Sequence, residues 1–287
     1  MDLVLFSLAI VITGGSSLLQ TRWSAGRGSD DPLHTFLIQE IRANRRRLLV
    51  RIAAIINNAS CGAYPLFLHW LLSFLPDRCL TWAAWLLNPG ANVVQVGMAY
   101  WIAQRYLPSP VPGLICIFVA LTPQFFHALS ARVYGISARP MGVILFVPWL
   151  FCSARAGTPR DHMLSAALAV GIAYLIWGFS TFAQQAAIFF SVIFLVGFGH
   201  WWPLISVLAG VALLLLVAPA YAAGYLRSTF QFSKTYALAL AGVYILKKRY
   251  SVWRDLVYDL WVKRDERLRK RLVYAYGSPV VIVLFMN

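Results

Sequence analysis

Long apolar runs separated by short polar connections dominate the chain. Residues 3–19 (LVLFSLAIVITGGSSLL) form the first run, just long enough to cross a bilayer. No basic segment precedes it and no small-residue cleavage pattern follows it, so a retained anchor helix is expected rather than a cleaved signal. Six more candidate spans lie at roughly 80–103, 112–130, 140–153, 163–182, 185–200 and 202–222; the third of these six is short. The last two are separated by His200-Trp201-Trp202-Pro203, an aromatic hinge suited to a membrane interface. The pattern predicts an all-α integral membrane protein with about seven transmembrane helices.

Residues 20–79 form a first loop of different character. Gly26, Gly28, Ser29 and Asp30 give a flexible entry, and Asp31-Pro32 reads as a helix start with Asp at the cap and Pro in the first turn. Leu33, Phe36, Leu37 and Ile41 then recur at helical spacing, followed by Arg42, Arg45, Arg46 and Arg47. This is an amphipathic helix whose arginines can reach an interface. An Asn/Ser/Gly interruption (57–62) precedes Tyr64-Pro65 and a short apolar stretch, which predicts a membrane-surface or re-entrant helix. Asn58-Ala59-Ser60 matches a glycosylation acceptor triplet, a pattern common by chance. Beyond residue 225 the apolar runs shorten. Residues 247–276 are basic and amphipathic, with Trp253, Tyr258 and Trp261 suited to lying on a membrane. The expected organisation is a transmembrane unit over 1–225 and a basic surface region over 226–287. The final apolar run looks like the start of a truncated span. There is no internal repeat.

Composition agrees with the pattern. Hydrophobic residues make up 60% and charged residues 12%, against about 25% charged in soluble domains. The net charge of +15 is clustered: seven arginines lie between Arg22 and Arg51 and twelve Lys or Arg between Arg227 and Arg271. These clusters flank lipid-length runs, which points to anionic headgroups or phosphate-bearing lipids rather than nucleic acid. Four cysteines show no metal-ligand spacing.

The acidic residues restrict the chemistry. Of ten, only Asp161 lies between Arg78 and Arg254. The spans therefore offer no carboxylate for a proton relay or cation site, which argues against an ion-coupled transporter, although neutral ligands can serve. A transporter would need a polar path through the spans. Acid–base candidates are Asp30, Asp31, Glu40 and Asp77. Asp31 is equally explained as a helix cap. His34 lies one turn after Asp31, but two ligands without a third make a weak case for a divalent metal, and no other cofactor is implied. His69, His127 and His200 fit interfacial histidines. Arg42, Arg45 and Arg46 suit bidentate grip on a phosphate or, equally, a headgroup-facing belt.

The order of these features resembles the GT-C superfamily of membrane glycosyltransferases, in particular bacterial relatives of protein mannosyltransferases. The resemblance spans roughly residues 1–220 and rests on order and spacing. Its carriers are Gly28-Ser29-Asp30-Asp31-Pro32-Leu33-His34, Ile38 to Arg42, Tyr64 to Leu72, Leu121-Thr122-Pro123 and Ser130-Ala131-Arg132 to Pro140. It implies sugar transfer from a polyprenyl-phosphate donor to a glycan, lipid or protein acceptor at the outer face of a bacterial inner membrane. Asp30 or Asp31 would be the general base. His34, Arg42, Arg45, Arg46, Tyr64, His69 and Arg132 would bind donor phosphate or substrate. The rival expectation is a non-catalytic or truncated relative that binds polyprenyl lipid and assists a partner subunit.

Overall fold

The computed structural model describes residues 1–24, 31–48, 65–121, 136, 138–156 and 162–240. Every regular element among them is an α-helix. In chain order these are α1 (Asp2–Ser24), α2 (Asp31–Ala43), α3 (Phe67–Leu72), α4 (Asp77–Tyr106), α5 (Val111–Leu121), α6 (Arg139–Arg155), α7 (His162–Phe179), α8 (Thr181–Phe198), α9 (Trp202–Val217) and α10 (Pro219–Leu240). Helix is the form in which an apolar segment satisfies its own backbone in lipid.

The helices pack as two groups. α1, α4 and α5 touch one another, α6 to α9 form the second group, and α4 against α6 joins the two. In the first group the Asp2 carboxylate accepts a hydrogen bond from Gly113 N at 2.6 Å, in the first turn of α5, where a helix favours negative charge. Phe6 stacks on Tyr100 at 4.2 Å. In the second group Gly210 of α9 lies so close to α7 that a Cβ there would meet Ala173 Cβ and Tyr174 N at 2.8 Å. Small residues at such crossings let membrane helices approach closely. Trp149 of α6 is fully buried and donates its indole N–H to Ser206 of α9 at 3.0 Å. Ser180 caps α8 by accepting from Ala183 N, and Gly199 ends that helix at φ 65°.

The chain is an integral, multi-span membrane protein. Among the described residues three helical windows are long and apolar enough to cross a bilayer: Asp2–Leu19, His162–Phe179 and Thr181–Phe198. That is fewer than the seven expected from the sequence. The physical reasons differ from helix to helix. The described part of α5 ends at Leu121, while α6 and α9 are one or two residues short of a full crossing. α4 is long enough but carries Asn88, Asn92 and Gln95 on a buried face. The run expected over 202–222 also divides. α9 stops at Val217, Ala218 leaves helical geometry, and Pro219 starts α10, which continues through residue 225 to Leu240. Residues 241–287, including the basic stretch at 247–276, lie outside the described residues.

Candidate functional site

The first loop contributes two helices that lie on the bundle. The expected amphipathic helix is α2, over Asp31–Ala43. Its buried stripe is His34, Leu37, Ile38 and Ile41, whereas Leu33 and Phe36 are only partly buried. The sequence pattern misses this stripe because a histidine does not count as apolar. α3 is the expected short helix after Tyr64-Pro65, and it buries Phe67, Leu68, His69 and Leu72. Leu37 packs into the core around Phe67, Trp149 and Tyr221, while Ile38 packs with Leu68, Leu72, Leu80 and Ala84.

Between α2 and α3 lies the contact that defines the site. His34 Nδ1 is 2.8 Å from His69 Nε2, and the rings stack with centroids 5.0 Å apart. The two are 2% and 0% exposed. At that distance one nitrogen donates and the other accepts, so the hydrogen bond requires at least one neutral ring. Burial, reinforced by the neighbouring His34, pushes the His69 pKa down from 6.5 to about 3, with a smaller opposing influence from the backbone of Pro65. Two nitrogens on one tetrahedral zinc would stand more than 3 Å apart, given zinc–nitrogen bonds of about 2.0–2.1 Å. The facing nitrogens are therefore hydrogen-bond partners rather than a ligand pair. Among the described residues no group of three His, Cys, Asp or Glu gathers for a metal.

Arg42 closes the other end of the helix pair. Its Nε donates to Ser73 O at 3.1 Å, Nη1 donates to Asp77 Oδ1 at 2.5 Å, and Nη2 donates to Leu75 O. The guanidinium thus fixes α2 to the connection between α3 and α4. Arg45 and Arg46 follow the helix with φ of 55° and 57°, in the left-handed region that side chains with a Cβ avoid. Both are exposed. The Arg46 guanidinium lies 5.0 Å over the Phe74 ring, and Trp70 Nε1 donates to Arg46 O at 2.9 Å. Residues held in this region persist where surrounding contacts over-determine them.

Of the residues singled out in the sequence, the structure brings His34 and His69 together, places Arg42 in the clamp and leaves Arg45 and Arg46 at the surface. Asp31 is the first residue of α2. Asp30, Tyr64 and Arg132 lie outside the described residues. Two contributors were missed by sequence reasoning. Tyr221 of α10 accepts a hydrogen bond from Leu66 N at 3.1 Å, tying the entry of α3 to the bundle. Gly178 of α7 receives the Phe67 ring so closely that a Cβ would overlap it. The glycine offered no distinguishing sequence signal; the Tyr221/Tyr225 pair, one turn apart, offered a weak one.

No family model, curated protein or solved structure matches the chain.

Proposed function

We propose that this chain is a GT-C-type membrane glycosyltransferase, moving a sugar from a polyprenyl-phosphate donor to an acceptor at the outer face of a bacterial inner membrane. The observation that carries the reading is the seating of α2. One helix opens with Asp31 and is held on the bundle by His34, Leu37, Ile38 and Ile41. The exposed Arg45 and Arg46 stand at its other end, about 20 Å away at 1.5 Å per residue. A first-loop aspartate then deprotonates the acceptor hydroxyl, while Arg45 and Arg46, too distant to share that reaction centre, are placed to meet lipid headgroup phosphate. Helices α1 and α4 to α9 supply seven crossings in this reading.

A second reading draws on one specific observation. His34, His69 and Arg42 all engage protein groups, as expected of a module that binds polyprenyl lipid and assists a partner without catalysis. Sugar transfer from a polyprenyl-phosphate donor, measured in membranes, separates the two. Asp30→Asn combined with Asp31→Asn is expected to abolish transfer while donor binding persists. Unchanged transfer in that double variant removes both aspartates from the catalytic assignment. Donor binding with no transfer by the unaltered chain, alone or with membrane extract, favours the second reading.

A further inference from the structure

The interface of α1 with α4 contains buried polar groups that find no partner among the described residues. Three pairings set its register. The Phe6 and Tyr100 rings stack, a Cβ on Gly14 would sit 3.6 Å from Val93 Cγ2, and Asn92 Nδ2 donates to Ser17 Oγ at 2.9 Å. Numbers rise along α1 as they fall along α4, so the helices are antiparallel. That register sets Thr13 opposite Gln95, Ser17 opposite Asn92 and Thr21 opposite Asn88. On each helix the three residues fall at spacings of three or four, hence on one face. The result is a polar ladder of three rungs inside the membrane.

Its inner rungs are incomplete. Thr13, Asn92 and Gln95 are 0%, 2% and 3% exposed. Among the described residues, Thr13 Oγ1, Asn92 Oδ1 and both Gln95 amide atoms, Oε1 and Nε2, make no hydrogen bond. Thr13 lies about 16 Å along α1 from Asp2 and about 9 Å from Leu19, well within the hydrocarbon layer. Lipid offers them no partner there, so leaving them uncompensated is costly. The chemistry of the set identifies what completes it. A cation would satisfy the oxygens but face the Gln95 amide hydrogens, and an anion would face Asn92 Oδ1 and Gln95 Oε1. A neutral molecule that both donates and accepts satisfies all four atoms.

We infer that the α1/α4 seam is a water-binding site. Thr21 and Asn88 form its outer rung, on the side where α1 ends and α4 begins. Towards the opposite face the seam closes on an apolar cluster of Ala9, Val96, Tyr100, Cys116 and Ala120. The site is therefore enclosed between the buried outer rung and this cluster rather than part of a path across the bilayer. Water of this kind typically makes about three hydrogen bonds to otherwise unsatisfied groups.

Two measurements on the full chain test this. An experimental density map in lipid nanodiscs, at a resolution that reveals water, is expected to show density within hydrogen-bonding distance of the Gln95 amide and the Thr13 hydroxyl. A map in which these groups bond directly to protein atoms, with nothing between them, overturns the inference. Gln95→Leu is expected to lower the melting temperature, because it strands the water's remaining partners. Thr13→Val added to it should then cost less than Thr13→Val alone, since both variants lose the same water. A higher melting temperature for Gln95→Leu, or strict additivity, also overturns it.

Discussion

The buried histidine pair makes the seating of α2 and α3 sensitive to acid, and the size of the effect follows from the structure. His69 titrates near 6.5 when unfolded and near 3 when folded, because burial and the adjacent His34 disfavour its charged form. Above pH 6.5 both states are neutral and no proton is exchanged on unfolding. As the pH falls through 6.5, the unfolded state binds a proton that the folded state refuses, so stability declines. The decline ends only near pH 3, where both states are charged. At pH 5 the loss is 1.5 units at 1.36 kcal/mol each, about 2 kcal/mol, or about a 30-fold rise in the population of an opened helix pair.

A cysteine at Ile38 reads that population. Ile38 is fully buried between α2 and its neighbours, so Ile38→Cys is labelled only when the pair opens. The native Cys79 is exposed and serves as an internal reference for the pH dependence of thiol reactivity. The ratio of labelling at 38 to labelling at 79 is expected to rise about 30-fold from pH 7.5 to pH 5. In a His69→Gln background, where no ring is left to titrate at that position, most of the rise should vanish. A ratio independent of pH, or an equal rise in both backgrounds, would show that His69 does not govern the docking.

Four further substitutions probe the packing, three around the site and one at the contact of α1 with α5. Arg42→Ala removes hydrogen bonds to Ser73 O and Leu75 O and should cost about 1–3 kcal/mol in the same labelling assay. Asp77→Asn should cost well under about 1 kcal/mol, because the Asp77 side chain is 85% exposed and a surface ion pair contributes little. Gly178→Ala drives a methyl group into the Phe67 ring and should lower thermal stability by about 1–3 kcal/mol, with Phe67→Leu restoring part of the loss. Asp2→Ala removes the acceptor at Gly113 N and should destabilise the contact of α1 with α5 by about 1–2 kcal/mol, seen as a lower melting temperature.

The helices were legible in the sequence where one property decided them. α1, α7 and α8 each hold a long, predominantly apolar window, and length with hydropathy marks them as crossings. The helix start at Asp31-Pro32 and the short helix after Pro65 followed from local backbone chemistry. What escaped were features set by partners distant in the chain. His34 reads as polar on its own and joins a buried stripe where His69, 35 residues away, supplies a hydrogen-bond partner. The arginines after Ile41 look alike in sequence. Yet Arg42 meets two carbonyls of the α3–α4 connection and the Asp77 carboxylate at the start of α4, while Arg45 and Arg46 leave the helix in left-handed geometry.

The polar side chains of α4 carry the same lesson in reverse. Asn88, Asn92 and Gln95 interrupt an otherwise apolar run, and hydropathy counts them only as a weakening of the span. Their spacing of four and three residues places them on one face, and that face meets Thr13, Ser17 and Thr21 of α1. A helix that loses apolar character all round is a poor candidate to enter lipid. A helix that concentrates its polarity against a complementary neighbour hides the polar stripe and keeps its remaining surface apolar. Val94 and Trp101 of α4 and Leu8 and Val11 of α1 are correspondingly exposed. The polar stripe thus reconciles α4's low hydropathy with a position inside the bundle, because the groups that weaken its membrane signal face α1, where Asn92 donates to Ser17.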